Sequence, residues 1–294
     1  MKILVLGRGV IGSQYGWALK QAGNTVDFYV RKSSRHDYKD YLELHTYDGR
    51  QKKMIEENWN INLRYEIPED EGYDLILISV NPEQVAGAIE SVSPIAKEAT
   101  ILLVGNYGGD PLKKIDLPIK EQCIVGFPGA GGGIDDNVLH GIMYSSFELG
   151  IKGDKPSARE EKVRKVFEDA GFKVKLQKNI DAWLVNHYVL NAAMEAEVMK
   201  KGSFAAVVES QDGLKNMLLN ARRMVPYVKA KNIKPGIALR MMTLVPAGLM
   251  AKIMKKTLYK EHSPAYDAVA YNKYEAGYAV REIRAEAERL GVRI

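Results

Sequence analysis

Met1-Lys-Ile-Leu-Val-Leu-Gly7-Arg8-Gly9-Val10-Ile11-Gly12 opens the chain, an apolar run that passes directly into Gly-x-Gly-x-x-Gly and then into a helix-like stretch through Tyr15–Ala22. A strand feeding a glycine turn that opens a helix is what a dinucleotide pyrophosphate needs. Gly7 permits the tight turn, Gly9 lets backbone approach the phosphates, and Gly12 lets helix and strand pack closely, while the helix N-terminus offers unpaired N–H donors. Arg8, Val10 and Ile11 complete the loop. With a second strand following on cue at Thr25–Val30, all six loop residues are expected to bind a nicotinamide dinucleotide.

The end of that second strand speaks to which dinucleotide. An NAD site places Asp or Glu about 20 residues past the glycines, on the ribose hydroxyls. Here the position carries Arg31, with Lys32 next to it and Arg35 close by, and the nearest acid, Asp27, falls inside the strand. A guanidinium pairs bidentately with a 2′-phosphate, so NADP(H) is expected, with Arg31 and Lys32 as ligands. The plainer reading is a solvated basic loop.

The chain has 294 residues, more than one typical domain and enough for two. Its composition, 46% hydrophobic and 27% charged, is that of an ordinary globular protein. A net charge of +5, spread along the chain, can draw in an anionic cofactor and substrate but gives no case for nucleic acid. Cys123, the single cysteine, lies in an apolar run and reads as a buried thiol in a reducing compartment. The longest apolar stretch, Met241–Ala251, falls short of the ~20 residues that span a bilayer. With a strand starting at residue 2 and no cleavage-type segment, a cytoplasmic protein without membrane partners is expected.

Through residue 179 strands alternate with helices, which predicts an α/β fold with a doubly wound parallel sheet. The strands are read at Lys2–Leu6, Thr25–Val30, Leu75–Val80, Thr100–Val104, Cys123–Phe127 and Met143–Leu149. Helices are expected over Glu83–Val92, stopping before Pro94, and over Ala158–Ala170. From Ile180 the pattern turns helical throughout, with helices to Gly202, over Leu214–Lys231 and over Asp267–Leu290. Two domains follow: residues 1–179, an NADP-binding Rossmann-type domain, and residues 180–294, an all-helical substrate and dimerisation domain. The active site is expected in the cleft between them.

Four further stretches carry a resemblance: Tyr73-Asp-Leu-Ile-Leu-Ile-Ser-Val80, the turn Leu102-Leu-Val-Gly-Asn106-Tyr-Gly-Gly109, Glu275 near the C-terminus, and a closing Arg-Leu-Gly-Val. With the glycine loop and Arg31, their order resembles the ketopantoate reductase (2-dehydropantoate 2-reductase) family along essentially the whole chain. The resemblance implies reduction of a small 2-oxo acid by hydride from NADPH. It places Asn106 near the nicotinamide, Asn191 on the first helix of the second domain, and Ser263 and Glu275 against the substrate. It also locates departures: Trp183 stands at the family's catalytic lysine, His187 at a neighbouring asparagine, and Asn81 at a second lysine.

Trp183, His187 and Asn191 recur at i, i+4 and i+8, on one helix face. The indole N–H only donates hydrogen bonds, whereas a histidine titrating near neutrality can act as general acid. His187, Glu275 and Asn191 are therefore the expected catalytic residues. Trp183, Ser263 and Asn81 are the expected substrate contacts, and Asn81 and Asn106 also touch the cofactor. The structural alternative is that Trp183 and His187 simply pack the helix. Gly129-Ala-Gly-Gly-Gly133 is read as a flexible loop rather than a phosphate cradle, because no helix start or Lys-Ser/Thr follows it. Asp135 and Asp136 read as solvated loop acids, and Glu195 and Glu197, two apart, cannot share a helix face. The basic run Lys252–Lys260 reads as a solvated helix face, and no histidine spacing suggests a metal. The expected function is NADPH-dependent reduction of a 2-oxo acid or related ketone, with a homodimer left open. The alternatives are a reductase of a different ketone and a non-catalytic NADP(H)-binding sensor.

Overall fold

A computed structural model describes residues 1–67, 69 and 71–294. The chain divides into two compact units, Met1–Asn106 with Asp110–Ile180, and Tyr107–Gly109 with Asp181–Ile294. The short segment 107–109 thus leaves the first unit for the second, which a single cut at 179/180 does not allow.

Among its described residues the first unit contains twelve strands: β1 (Lys2–Leu6), β2 (Thr25–Tyr29), β3 (Tyr41–Asp48), β4 (Lys53–Asn60), β5 (Leu63–Arg64), β6 (Leu75–Ile78), β7 (Thr100–Val104), β8 (Cys123–Phe127), β9 (Ala130–Asp135), β10 (Val138–Met143), β11 (Ser146–Gly150) and β12 (Lys173–Gln177). Eight of them form the main sheet in the order β5-β2-β1-β6-β7-β8-β11-β12. From β5 to β8 every pairing is parallel. The β8–β11 pairing is antiparallel, so the sheet is parallel-dominated rather than wholly parallel.

Helices cover both faces of the sheet, which is why β1, β6, β7 and β8 are nearly continuous apolar runs. On one face Ile3, Val5, Leu75, Leu77 and Leu102 join a core with Tyr15, Ala18 and Leu19 of helix α1 (Val10–Gln21). Helix α2 (Val85–Ala96) packs on β6 and β7. It runs through Pro94 where a stop before the proline was expected, giving up one backbone bond in an exposed turn. Helix α3 (Ala158–Asp169) starts at a Ser157–Glu160 capping box.

A second, four-stranded sheet, β4-β3-β10-β9, was not read from the sequence. The expected single strand Met143–Leu149 is instead the end of β10 and most of β11, and the glycine run expected as a flexible loop is strand β9. Its glycines answer to close approach: a Cβ on Gly132 would lie 2.1 Å from the His140 carbonyl oxygen. Gln14 of α1 donates to the Gly131 carbonyl at 3.2 Å, fastening this sheet to the first helix.

The second unit is all-helical and led by α4 (Ile180–Lys201), whose Val185, Val189 and Ala192 share a core with Leu214, Leu218, Val280 and Ile283. Two of its expected helices are broken. Leu214–Lys231 becomes Gln211–Arg223 and Val225–Ala230, and Asp267–Leu290 becomes Pro264–Ala270 and Tyr278–Arg289. The second break falls before Gly277, which adopts φ 115°, a conformation natural only to glycine. Among the described residues no single helix is long and apolar enough to cross a membrane.

Candidate functional site: a dinucleotide loop and a separate polar helix face

In the first unit the strand order brings the glycine loop and three further expected residues to the carboxyl edge of the sheet. The order in which strands are added reverses at β1, since β2 lies to one side of it and β6 and β7 lie to the other. Such a switch point is where open α/β sheets bind ligands. Arg31 follows β2, the glycine loop follows β1, Asn81 follows β6, and Asn106 follows β7.

Each glycine of the loop has a distinct physical reason. Gly7 has φ 108°, and a Cβ there would lie 2.4 Å from the Ser79 carbonyl oxygen, because β1 and β6 lie side by side. A Cβ on Gly12 would lie 2.1 Å from the Gly7 carbonyl oxygen, so the first turn of α1 folds back on the loop. A Cβ on Gly9, by contrast, would meet nothing within 4 Å beyond its own chain neighbours and helix backbone. Gly9 is also the N-cap of α1 and supplies no side-chain cap, so the first N–H groups of the helix lack a side-chain acceptor there. Two glycines therefore serve the fold, and the third leaves room for a ligand.

A cavity of about 460 Å³ adjoins this loop, lined by Arg8, Gly9, Val10, Tyr38, Asp136 and Asn137 among others. Arg8 is only 4% exposed, and its Nη2 donates to the Tyr41 carbonyl at 2.7 Å and to Asn137 Oδ1 at 3.0 Å. Arg31 is exposed at the start of a short 3₁₀ turn, and among the described residues its side chain has no hydrogen-bond or ion-pair partner. Lys32 is also exposed and pairs with Glu66 at 2.9 Å. Asp27 is 1% exposed and accepts from Tyr73 Oη at 2.7 Å and from Asn62, a structural role that takes it out of ribose binding.

Asn81 caps the turn into α2 and is exposed. Asn106 is partly buried, and its Oδ1 is enclosed without a hydrogen-bond partner among the described residues. Open space over Gly9, uncapped N–H groups, a buried guanidinium and an orphaned amide oxygen at one sheet edge fit a nicotinamide dinucleotide.

In the second unit α4 presents Trp183, His187 and Asn191 on one face, all partly buried, with the indole and imidazole rings stacked nearly parallel, at 6° and 5.4 Å between centroids. Burial pushes the His187 imidazole down to about 4. This corrects the expectation of a histidine titrating near neutrality: the ring is neutral at pH 7 and can donate one hydrogen bond, but it is not an imidazolium acid.

One turn further along the same face, Glu195 Oε2 accepts from the backbone N–H groups of Gly277 and Ala279, both at 2.9 Å. The carboxylate thereby caps helix Tyr278–Arg289 and ties the segment before it to α4. Glu275 lies in that segment, exposed and outside any helix, not on the long terminal helix expected. Ser263 is the N-cap of Pro264–Ala270: its Oγ accepts from Tyr266 N–H at 3.2 Å and donates to the Leu258 carbonyl at 2.9 Å. Its hydroxyl is committed to local structure. Among the described residues there is no metal-binding cluster.

Sequence reasoning missed two elements of these sites, Asn137 and Glu195. The signal for Asn137 was local, since Asp136-Asn137 is a pair suited to the positive φ values of a hairpin turn, here 42° and 65°. Nothing local marks Glu195, whose partners lie more than 80 residues away.

Residues 3–132 match the family model described as ketopantoate reductase PanE/ApbA. The matched part lies in the first unit but for residues 107–109. A 2-dehydropantoate 2-reductase of Pyrococcus abyssi is 26% identical over 198 residues, 66% of this chain and 62% of that protein, so the match spans about three fifths of the relative's length. Among solved structures, D-mandelate dehydrogenase with NADH and anilino(oxo)acetate has a TM-score of 0.67 at 18% identity, covering 99% of this chain and 93% of that one. A dimeric ketopantoate reductase from Staphylococcus aureus has a TM-score of 0.64 at 13% identity, covering 99% and 94%. At these identities the structural likeness establishes a shared fold.

Proposed function

We propose that this chain is an NADP(H)-dependent reductase of a small 2-oxo acid within the ketopantoate reductase family. The observation that carries the reading is the first unit's carboxyl edge, where an open glycine, uncapped helix N–H groups and an exposed unpaired Arg31 meet at a topological switch point. The glycine loop would hold the pyrophosphate, Arg31 and Lys32 the 2′-phosphate, and Asn81 and Asn106 the nicotinamide end. When bound, the cofactor supplies the hydride. The NADH and anilino(oxo)acetate held by D-mandelate dehydrogenase support a nicotinamide cofactor and a 2-oxo acid substrate. The dimer named for the S. aureus protein supports a homodimer here.

On the second unit His187 acts as a neutral donor. Its N–H hydrogen-bonds the carbonyl oxygen as negative charge grows there, the proton that completes the alcohol being drawn from water. Asn191 orients the substrate's polar groups and Glu275 meets its hydroxyls. Trp183, stacked on His187, offers an apolar, planar surface that favours a 2-oxo acid with an aromatic or bulky apolar group. Ser263, already bonded at both ends of its hydroxyl, is the weakest of the substrate assignments.

His187→Ala should lower turnover of the best 2-oxo acid by about a hundredfold, the scale for removing one positioned donor, with NADPH affinity kept within a fewfold. Unchanged turnover would make the imidazole a packing residue and pass the donor role to another group.

A further inference from the structure

Arg8 has a feature that the fold does not require. Its guanidinium is 4% exposed, yet among the described residues no carboxylate lies within ion-pair distance, although Asp37 and Asp136 line the same cavity. Both of its hydrogen bonds leave from Nη2 and end on neutral oxygens, the Tyr41 carbonyl and Asn137 Oδ1. Nε is enclosed without a partner, and Nη1 has no acceptor among the described residues. A buried cation with spare donors and no counter-charge is costly. Beside it stands the second half of the argument, the N-terminus of the twelve-residue helix α1, whose cap is a glycine with open space over it.

Asn137 fixes the guanidinium from the far side of the cavity. It occupies the β9–β10 turn at φ 65°, donates from Nδ2 to the Tyr41 carbonyl at 3.0 Å, and is pinned by Glu43 N–H on its own carbonyl at 3.1 Å. The Tyr38 ring flanks the guanidinium at 5.2 Å. The second sheet thus reaches the glycine loop through the Asn137 amide and the Tyr41 carbonyl.

We propose that Arg8 is a ligand for a phosphate group of the dinucleotide and that Asn137 is the positioning residue that holds it ready. This rests on the dinucleotide reading of the first unit. The missing counter-charge is then supplied by the cofactor. The phosphate oxyanion is either the 2′-phosphate or the pyrophosphate.

The test is nucleotide binding by the full chain, measured by titration with NADPH and with NADH. Asn137→Asp keeps the acceptor that anchors Arg8 but adds a carboxylate that neutralises it. It should leave the chain folded, with the melting temperature lowered by no more than the lost Nδ2 bond to the Tyr41 carbonyl, while weakening nucleotide binding tenfold or more. Arg8→Gln should weaken the same nucleotides, which guards against a folding defect in the first variant. Weakening confined to NADPH assigns Arg8 to the 2′-phosphate, and equal weakening of both nucleotides assigns it to the pyrophosphate. If both variants bind as wild type, Arg8 is only a brace between the sheets and the proposal falls. If the wild-type chain binds neither nucleotide, the dinucleotide reading itself has failed, a result separable from the other.

Discussion

Gly9 and Gly12 are expected to separate binding from folding when each is changed to alanine. At Gly12 the new Cβ would sit 2.1 Å from the Gly7 carbonyl oxygen and 3.2 Å from a Val5 methyl, so backbone must move by about an ångström. Overpacking this close belongs at the upper end of the usual range, about 2–3 kcal/mol, partly offset by the ~1 kcal/mol that alanine gains over glycine inside a helix. A net loss of about 1–2 kcal/mol lowers the melting temperature by roughly 2–8 °C for a domain of this size. At Gly9, φ −83° and ψ −175° suit alanine and its Cβ would meet nothing further within 4 Å, so stability should hold within about 0.5 kcal/mol. The methyl group then projects into the space left for phosphate, and NADPH affinity should fall at least tenfold, by about 1.4 kcal/mol. Urea denaturation and NADPH fluorescence titration on both variants read the two effects. Wild-type NADPH affinity in Gly9→Ala, or wild-type stability in Gly12→Ala, would refute the division of labour.

Arg31→Ala should abolish most of an expected tenfold or greater preference for NADPH over NADH with little change for NADH, since one charge-assisted bidentate contact is worth about 1.5–3 kcal/mol; competitive titration reads this directly. Glu195→Ala, which strands the Gly277 and Ala279 N–H groups, should cost about 2–3 kcal/mol in urea and make residues 271–277 a faster target for limited proteolysis; unchanged cleavage would contradict the cap. His187, pushed by burial from 6.5 to about 4, should give a turnover profile with no histidine limb through pH 6–7. Below 6.5 the unfolded chain takes up a proton that the folded chain refuses until about 4, so stability drops as pH falls through that window. His187→Gln should flatten that limb when urea midpoints at pH 5 and pH 7 are compared.

The main sheet was legible because strands covered on both faces must be apolar at every position, as Leu75–Ile78 and Thr100–Val104 nearly are. The second sheet escaped because its signals are mixed. In β3 the buried alternation runs Leu42, Leu44, Thr46, Asp48, and its last two members are polar. Asp48 is tolerated there because, although burial raises its pKa, hydrogen bonds and charge from Arg50 hold the carboxyl below its ordinary range. In β9 glycines chosen for close approach to β10 look like a loop to any propensity argument. The residues of the dinucleotide loop were readable because strand, turn and helix are contiguous in sequence. The helix face Trp183-His187-Asn191 was readable from its period, but the state of its histidine depends on burial, which no spacing reveals. The break that frees Glu275 from a helix follows from a tertiary cap on Gly277 by Glu195, far away in sequence.

The central claim is tested most directly by following NADPH oxidation at 340 nm with the purified full chain over a panel of 2-oxo acids, from ketopantoate to aryl-substituted ones, with NADH as the parallel cofactor. The expected result is turnover of at least one 2-oxo acid with NADPH, faster at equal concentration than with NADH and favouring an acid with a planar apolar group that can lie against Trp183. Tight NADPH binding with no oxidation by any member of the panel would contradict a 2-oxo acid reductase and leave a nucleotide-binding protein in its place.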